Sequence, residues 1–127
     1  MFQLIFIAYV VFVIAASLIP EAGTSIVVYQ DKIAHLAAYF VMGVLAWTAV
    51  ATMKRKLYLL FSSILIGIVL ELVQEFVPGR SMDIADAAAN TAGVVLAYLV
   101  CRFCAEYVGW GTFSPGGKGK SPFGGTE

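Results

Sequence analysis

Ionisable and amide side chains are concentrated in residues 71–90, ELVQEFVPGRSMDIADAAAN, of a chain that is otherwise mostly apolar. Seven such side chains lie in this segment: Glu71, Gln74, Glu75, Arg80, Asp83, Asp86 and Asn90. A second group, Asp31, Lys32 and His35, begins the segment DKIAHLAAYFVMG. Carboxylates and histidine can exchange protons, whereas lysine and arginine can bind phosphate or carboxylate groups. These residue types predict either recognition of a polar ligand or acid–base chemistry.

The composition predicts an integral membrane protein. Of the 127 residues, 61% are hydrophobic and only 13% are charged, against about 25% charged residues in soluble domains. The formal net charge is zero, and no basic run is longer than residues 54–56. The charge pattern therefore excludes the electrostatic footprint of a nucleic-acid-binding protein.

Four apolar segments are each close to the ~20 residues that a helix needs to cross ~30 Å of hydrocarbon. They cover residues 2–19, 33–53, 57–77 and 84–103. Because backbone polar groups find no water inside a bilayer, such segments must be helical. We therefore expect an all-α fold, a four-transmembrane-helix bundle formed by residues 1–108. Residues 109–127 hold seven of the twelve glycines and are predicted to be a disordered cytoplasmic tail.

The basic residues predict the orientation of the bundle. Six of the eight lie at one membrane face, in the 54–56 loop, at Arg102 and in the tail, whereas Lys32 and Arg80 lie at the other. Cytoplasmic loops carry the excess of lysine and arginine. We therefore expect a multi-pass protein of the cytoplasmic (inner) membrane with both termini in the cytoplasm. The two polar groups then lie together at the outer face.

Helical spacing places the polar side chains on three inward-facing stripes, each running from charged to small residues. The stripes are Asp31, His35, Tyr39 and Met42; Ser63, Gly67, Glu71 and Gln74; and Asp83, Asp86, Asn90, Gly93 and Ala97. If the third helix ends at residue 77, Glu71 lies about 9 Å below the hydrocarbon boundary. A carboxylate at that depth must be paired, so we expect Glu71 to face His35 and Asn90. The glycines are expected to allow close helix packing.

Structural roles alone could account for some of these residues. Asp83 precedes the fourth helix as an N-cap does, and Asp86 is an acid in its first turn. Asp31 and Lys32 could be solvated charges at the boundary. The functional interpretation is favoured where a polar group enters the predicted membrane region, as do Glu71, His35, Asp86 and Asn90.

The segments DKIAHLAAYFVMG (31–43) and ELVQEFVPGRSMDIADAAANTAGVVLAY (71–98) resemble the VanZ-like family of small bacterial membrane proteins. The matching positions are Asp31, Lys32, His35, Tyr39, Glu71, Gln74, Arg80, Asp83, Asp86, Asn90 and Gly93. The resemblance covers the second, third and fourth helices, and the first helix fits only as a generic span. The family takes its name from a protein of teicoplanin resistance, which implies a cell-envelope setting. It implies neither a defined reaction nor antibiotic resistance for this chain.

The first functional hypothesis is a binding protein whose outward-facing acidic pocket holds a lipid-linked envelope precursor, a phospholipid headgroup or a glycopeptide. The expected ligand-binding residues are Asp31, Lys32, Tyr39, Gln74, Arg80, Asp83 and Asn90. The alternative is a membrane-embedded hydrolase or transferase that acts on a lipid headgroup, with His35, Glu71 and Asp86 as catalytic acid–base residues. The sequence leaves open whether the protein is an enzyme. A transporter or purely structural bundle is less favoured, because the polar stripes are confined to one leaflet.

Metal binding is a variant of both hypotheses, with oxygen ligands from the acids and nitrogen from His35. A single histidine and no cysteine at the outer face argue against zinc, so no metal or other cofactor is expected. Cys101 and Cys104 are predicted to pack as small apolar residues near the cytoplasm. The expected partner is a membrane lipid or lipid-linked envelope precursor and not a nucleic acid, and homo-oligomerisation is left open.

Overall fold

The computed structural model describes residues 1–20 and 28–108, and in these ranges the chain is entirely helical. The helices are α1 (Phe2–Ser17), α2 (Val28–Ala49), α3 (Met53–Gln74) and α4 (Ile84–Phe103). A single π-helical segment, Cys104–Val108, continues α4. The predicted tail, residues 109–127, lies outside the described residues. The all-α, four-helix architecture expected from the sequence is confirmed.

Helix α2 lies at the centre of the bundle and contacts α1, α3 and α4, with its most extensive contact against α4. Glycine makes this contact close. A Cβ atom at Gly93 would collide with the carbonyl oxygen of Leu36 and lie 2.9 Å from the amide nitrogen of Phe40. A Cβ at Gly67 would lie 2.8 Å from the ring of Tyr39. The expectation that these glycines allow close helix approach is confirmed.

The interior of the bundle is apolar and the outer surface is apolar too. Buried hydrophobic side chains come from all four helices: Val13, Tyr39, Met42, Ala46, Trp47, Ala49, Leu60, Leu70, Val94, Ala97 and Cys101. Large side chains such as Leu4, Phe61 and Ile84 are nevertheless more than 60% exposed. Such a surface is unfavourable in water but suits hydrocarbon. The chain therefore has the surface of a membrane-embedded bundle.

Three helices are long and apolar enough to cross a membrane, at Gln30–Ala49, Met53–Gln74 and Ile84–Tyr107. Helix α1 is apolar but shorter, since it ends at Ser17 and not at residue 19 as predicted. At 1.5 Å per residue its sixteen residues extend ~24 Å, less than the ~30 Å hydrocarbon core.

Three further helix boundaries differ from the sequence-based prediction. Helix α2 starts before the apolar segment, at Val28, and α3 starts at Met53, so the basic residues 54–56 lie in its first turns. Helix α3 also ends at Gln74 and not at residue 77. Glu71 is therefore three residues from the helix end, about 4.5 Å at 1.5 Å per residue, and not six residues as predicted.

Candidate functional site

Lys32 joins the start of α2 to the start of α4 through two carboxylates. Its ammonium group donates to Asp83 Oδ2 at 2.5 Å and to Asp86 Oδ1 at 2.9 Å. The other oxygen of Asp83 accepts the backbone N–H of Ala85, so Asp83 is also the N-cap of α4. The hydrogen bond from Lys32, with that from Ala85, holds the pKa of Asp83 below its usual range. Both interpretations of Asp83, as helix cap and as member of a charged cluster, therefore apply.

A chain of hydrogen bonds connects α2, α4 and α3 just beneath this ion pair. The amide group of Asn90 donates from Nδ2 to Glu71 Oε1 at 3.2 Å, and its Oδ1 lies 3.0 Å from His35 Nδ1. An amide oxygen only accepts, so the proton of this second bond belongs to His35 Nδ1. Glu71 Oε1 also lies 3.6 Å from His35 Nδ1. Asn90 and Glu71 are 1% and 3% exposed, so the chain is shielded from solvent.

The other nitrogen of His35 is directed away from this chain. Nε2 lies 3.6 Å from Asp31 Oδ1, one helical turn earlier on α2. Asp31 and His35 both line the same cavity, whereas Asn90 and Glu71 do not. In a neutral imidazole with its proton on Nδ1, the lone pair lies on Nε2. In that form His35 offers an accepting nitrogen on the side of Asp31.

The cavity lies between α1 and α2 and has a volume of about 200 Å³. Its lining residues are Phe12, Val13, Ala16, Ser17, Asp31, Ala34, His35, Ala38, Tyr39 and Arg80. One wall is thus apolar and comes largely from α1, and the other carries charge. Tyr39 is only 2% exposed, and its hydroxyl has no hydrogen-bond partner among the described residues. The same is true of the second oxygen of Glu71.

The loop between α3 and α4 is fastened to the end of α1. Gln74 Nε2 donates to the carbonyl oxygen of Ser17 at 3.2 Å, and Arg80 Nε donates to that of Ile19 at 3.1 Å. Glu75 accepts the backbone N–H of Met82 and so braces the loop itself. Gly79 has a φ of 81°, a conformation that favours glycine at such a turn. These bonds place the guanidinium group of Arg80 at the cavity.

The structure brings most of the predicted site residues into contact. These residues form two adjoining groups: Lys32 with Asp83 and Asp86, and His35 with Asp31, Asn90 and Glu71. Tyr39 and Arg80 line the adjoining cavity, and Gln74 instead anchors α1. Their functional roles stay predictions.

Sequence reasoning missed the contribution of α1. Four of its residues, Phe12, Val13, Ala16 and Ser17, line the cavity. Two carbonyl groups at or just after its end accept the bonds from Gln74 and Arg80. Apolar side chains and carbonyl groups carry no distinctive residue-type signal, so nothing in the sequence pattern marked this helix as part of the site.

The polar cluster includes a group of potential metal ligands. One ligand atom each from Asp31, His35 and Asp86 lies within 4.8 Å of the other two. At the opposite end of the bundle Cys101 is buried in the core, as predicted, and Cys104 is half-buried. Neither forms a disulfide.

Comparison with known proteins gives one finding. The family model described as VanZ/LLP1 matches residues 2–105. The match therefore includes α1, which the sequence-based resemblance left out, and ends shortly before the undescribed tail. No curated protein and no solved structure matches the chain significantly.

Proposed function

The chain belongs to the VanZ/LLP1 family, and from this premise and the site geometry we propose that it is a membrane-embedded binding protein for the phosphate-bearing headgroup of an envelope lipid. The observation that carries the proposal is the cavity between α1 and α2, which has an apolar wall beside a charged one. A site with both characters suits an amphipathic molecule, because its apolar part contacts the apolar wall and its polar part contacts the charged one.

The positions of the lining residues suggest how such a lipid is held. Phe12 and Val13 face the hydrocarbon part of the ligand, and Arg80 and His35 lie where its headgroup enters. Arginine is well suited to phosphate because its planar guanidinium can donate two parallel hydrogen bonds. The lipid enters laterally, from the same leaflet.

The volume of the cavity narrows the choice of ligand. Sites for drug-sized molecules occupy ~300–1,000 Å³, and this cavity has about 200 Å³. It accommodates a phosphate-containing headgroup with the first carbons of its chain, whereas a glycopeptide antibiotic could make only peripheral contact. A phospholipid or a lipid-linked envelope precursor is therefore favoured over a glycopeptide.

The proposed location is the outer face of the cytoplasmic membrane. Among the described residues, Lys54, Arg55 and Arg102 lie at the end of the bundle opposite to the polar cluster, close to the α2–α3 connection or the end of α4. The preference of basic residues for the cytoplasm supports an outward-facing cavity. Both termini are then cytoplasmic.

Filling the cavity tests the proposal without altering any charged group. Ala34 lines the cavity and Ala37, three residues later on α2, does not, and both are exposed. We expect Ala34→Phe to weaken binding of polyprenyl phosphate or phosphatidylglycerol by about tenfold or more, ~1.4 kcal/mol, because the ring occupies the headgroup position. Native mass spectrometry of the purified full chain in detergent, titrated with each lipid, measures the bound fraction.

Ala37→Phe is the matched control and is expected to bind both lipids as the wild type does. Circular dichroism verifies that both variants keep the helical content of the wild type. Equal binding by the two variants and the wild type would contradict a headgroup site at this cavity.

The hydrogen-bond chain favours a second candidate, a hydrolase or transferase acting on the same lipid. A histidine oriented through Nδ1, with Nε2 free to accept a proton, has the arrangement of a general base. The same titrations, followed for release of phosphate, separate the two candidates. If the wild type turns lipid over, His35→Gln should abolish turnover while much of the binding remains. If the wild type releases no phosphate, the enzyme hypothesis fails and the binding function stands without it.

A further inference from the structure

Among the described residues, four carboxyl groups surround the site and two basic side chains accompany them. The acids are Asp31, Glu71, Asp83 and Asp86, and the bases are Lys32 and Arg80. With a neutral His35 the formal charge of this group is therefore −2. At the edge of a membrane such an excess is costly, and it also opposes the approach of a phosphate.

The tautomer of His35 identifies where a balancing cation can bind. Its Nδ1–H is committed to Asn90, which in turn donates to Glu71. The lone pair of Nε2 thus faces the carboxylate of Asp31 at 3.6 Å, an arrangement that is repulsive unless a positive charge lies between them. Histidine ligands of metal ions are typically oriented in this way, with the second nitrogen donating to an oxygen.

The donor set is also compatible with one ion. The ligand atoms of Asp31, His35 and Asp86 lie within 4.8 Å of one another. Three ligand atoms at ~2.0–2.2 Å from one metal lie ~3.3–3.8 Å apart, so closure requires a shift of about 1 Å. The side chain of Asp31 is 52% exposed and free to make it. Lys32 contacts Oδ1 of Asp86 and leaves the second carboxylate oxygen for the ion.

We infer that Asp31, His35 Nε2 and Asp86 bind a divalent cation that accepts mixed oxygen and nitrogen ligands, of the class of Mn²⁺ or Zn²⁺. The sequence-based expectation of no metal depended on the number of histidines and cysteines. Counts of histidines and cysteines carry no information about the orientation of His35. The ion neutralises the local formal charge and can bridge to a phosphate oxygen, and only this bridging role depends on the proposed lipid-binding function.

The cation is tested first without lipid. Purified full chain in a non-ionic detergent is titrated with Mn²⁺, and the free ion is quantified by electron paramagnetic resonance. We expect saturable binding of one ion per chain. Loss of a residue that merely hydrogen-bonds a ligand costs about 10–100-fold in metal affinity, so Asp31→Asn, which removes a direct ligand, should weaken binding by at least ~10-fold.

Glu75→Gln is the matched control, since Glu75 is an exposed carboxylate near the same loop whose oxygen accepts a backbone N–H and is not among the ligands. It should bind Mn²⁺ as the wild type does. Equal binding by wild type, Asp31→Asn and Glu75→Gln, or no binding by any of them, would overturn the inference.

Nitrogen NMR gives a readout at the residue itself. His35 is the only histidine in the chain, so ¹⁵N-histidine labelling reports one ring. Zn²⁺ should shift the Nε2 resonance while Nδ1 stays protonated. An imidazolium that is unaffected by Zn²⁺ would overturn the inference by showing that a proton balances the charge. Lipid titrations with Mn²⁺ and with chelator then test the bridging role. If lipid binding is the same in both conditions, the bridging role is refuted and the cation site itself is not.

Discussion

Replacing Gly93 by alanine is expected to lower the free energy of unfolding by about 1–3 kcal/mol, the usual cost of overpacking a tight interior. The added methyl group would meet backbone atoms of α2, the carbonyl oxygen of Leu36 and the amide nitrogen of Phe40. Backbone atoms in a helix cannot rotate away as a side chain can, so α2 and α4 must separate. This loss outweighs the ~1 kcal/mol that alanine gains over glycine within a helix.

Thermal denaturation in detergent micelles, followed by circular dichroism, measures this effect. Gly67→Ala is the matched control, because its methyl group would meet the far edge of the Tyr39 ring and not backbone. It should be destabilised less, and Ala92→Leu on the exposed surface of α4 should change stability by no more than ~0.5 kcal/mol. If Gly93→Ala were as stable as these two variants, the close α2–α4 contact would be refuted.

The separation of α2 and α4 in Gly93→Ala should also disrupt contacts in the polar cluster. Lys32 and His35 lie on α2, and their partners Asp86 and Asn90 lie on α4. Hydrogen bonds lose strength steeply with distance and angle, so a displacement of the two axes breaks several contacts at once. The packing of a glycine thus maintains the geometry of charged groups more than a turn away.

The sequence predicted the number of helices because the apolar segments are long and sharply bounded. It predicted their ends less well, since hydropathy reports where hydrocarbon begins and not where the helix does. Asp31 and Lys32 follow the start of α2 at Val28, because helical backbone can continue into the polar interface. Residues 54–56 were placed in a loop because they separate two apolar segments, yet Thr52 is the N-cap of α3 and the helix begins at Met53.

The sequence also predicted which polar residues share a helix face, because this follows from 100° per residue. The expectation that Glu71 faces His35 and Asn90 is confirmed, but the sequence could not assign the ion pairs between helices. Whether Lys32 meets Asp83, Asp86 or both depends on the axial offset of α2 and α4, which is determined by the contact at Gly93. The tautomer of His35 depends in turn on Asn90, a neutral amide whose orientation is determined by Glu71.

Replacing Asn90 by leucine is the second large perturbation, with an expected loss of about 2–3 kcal/mol. Leucine is similar in size but leaves Glu71 Oε1 and His35 Nδ1–H without the amide that joins them. An unsatisfied buried polar group costs ~1–3 kcal/mol, and more when it is charged. Thr91→Ala is the neighbouring control, because the Thr91 hydroxyl bonds only to Ala87 of its own helix; it should stay within ~0.5 kcal/mol of the wild type.

A double-mutant cycle shows whether the loss of stability comes from leaving the Glu71 carboxylate without its hydrogen-bond donor. Removing both partners of a buried hydrogen bond can be nearly neutral, so Glu71→Leu combined with Asn90→Leu should be more stable than the sum of the single losses predicts. Direct neighbours in such cycles show coupling of ~0.5–3 kcal/mol, and we expect at least ~1 kcal/mol here. Additive losses, measured by the same thermal denaturation, would mean that Asn90 contributes through packing alone. A positive coupling would instead make Asn90 the residue that pairs a buried acid and, through the same amide, fixes which nitrogen of His35 faces the cavity.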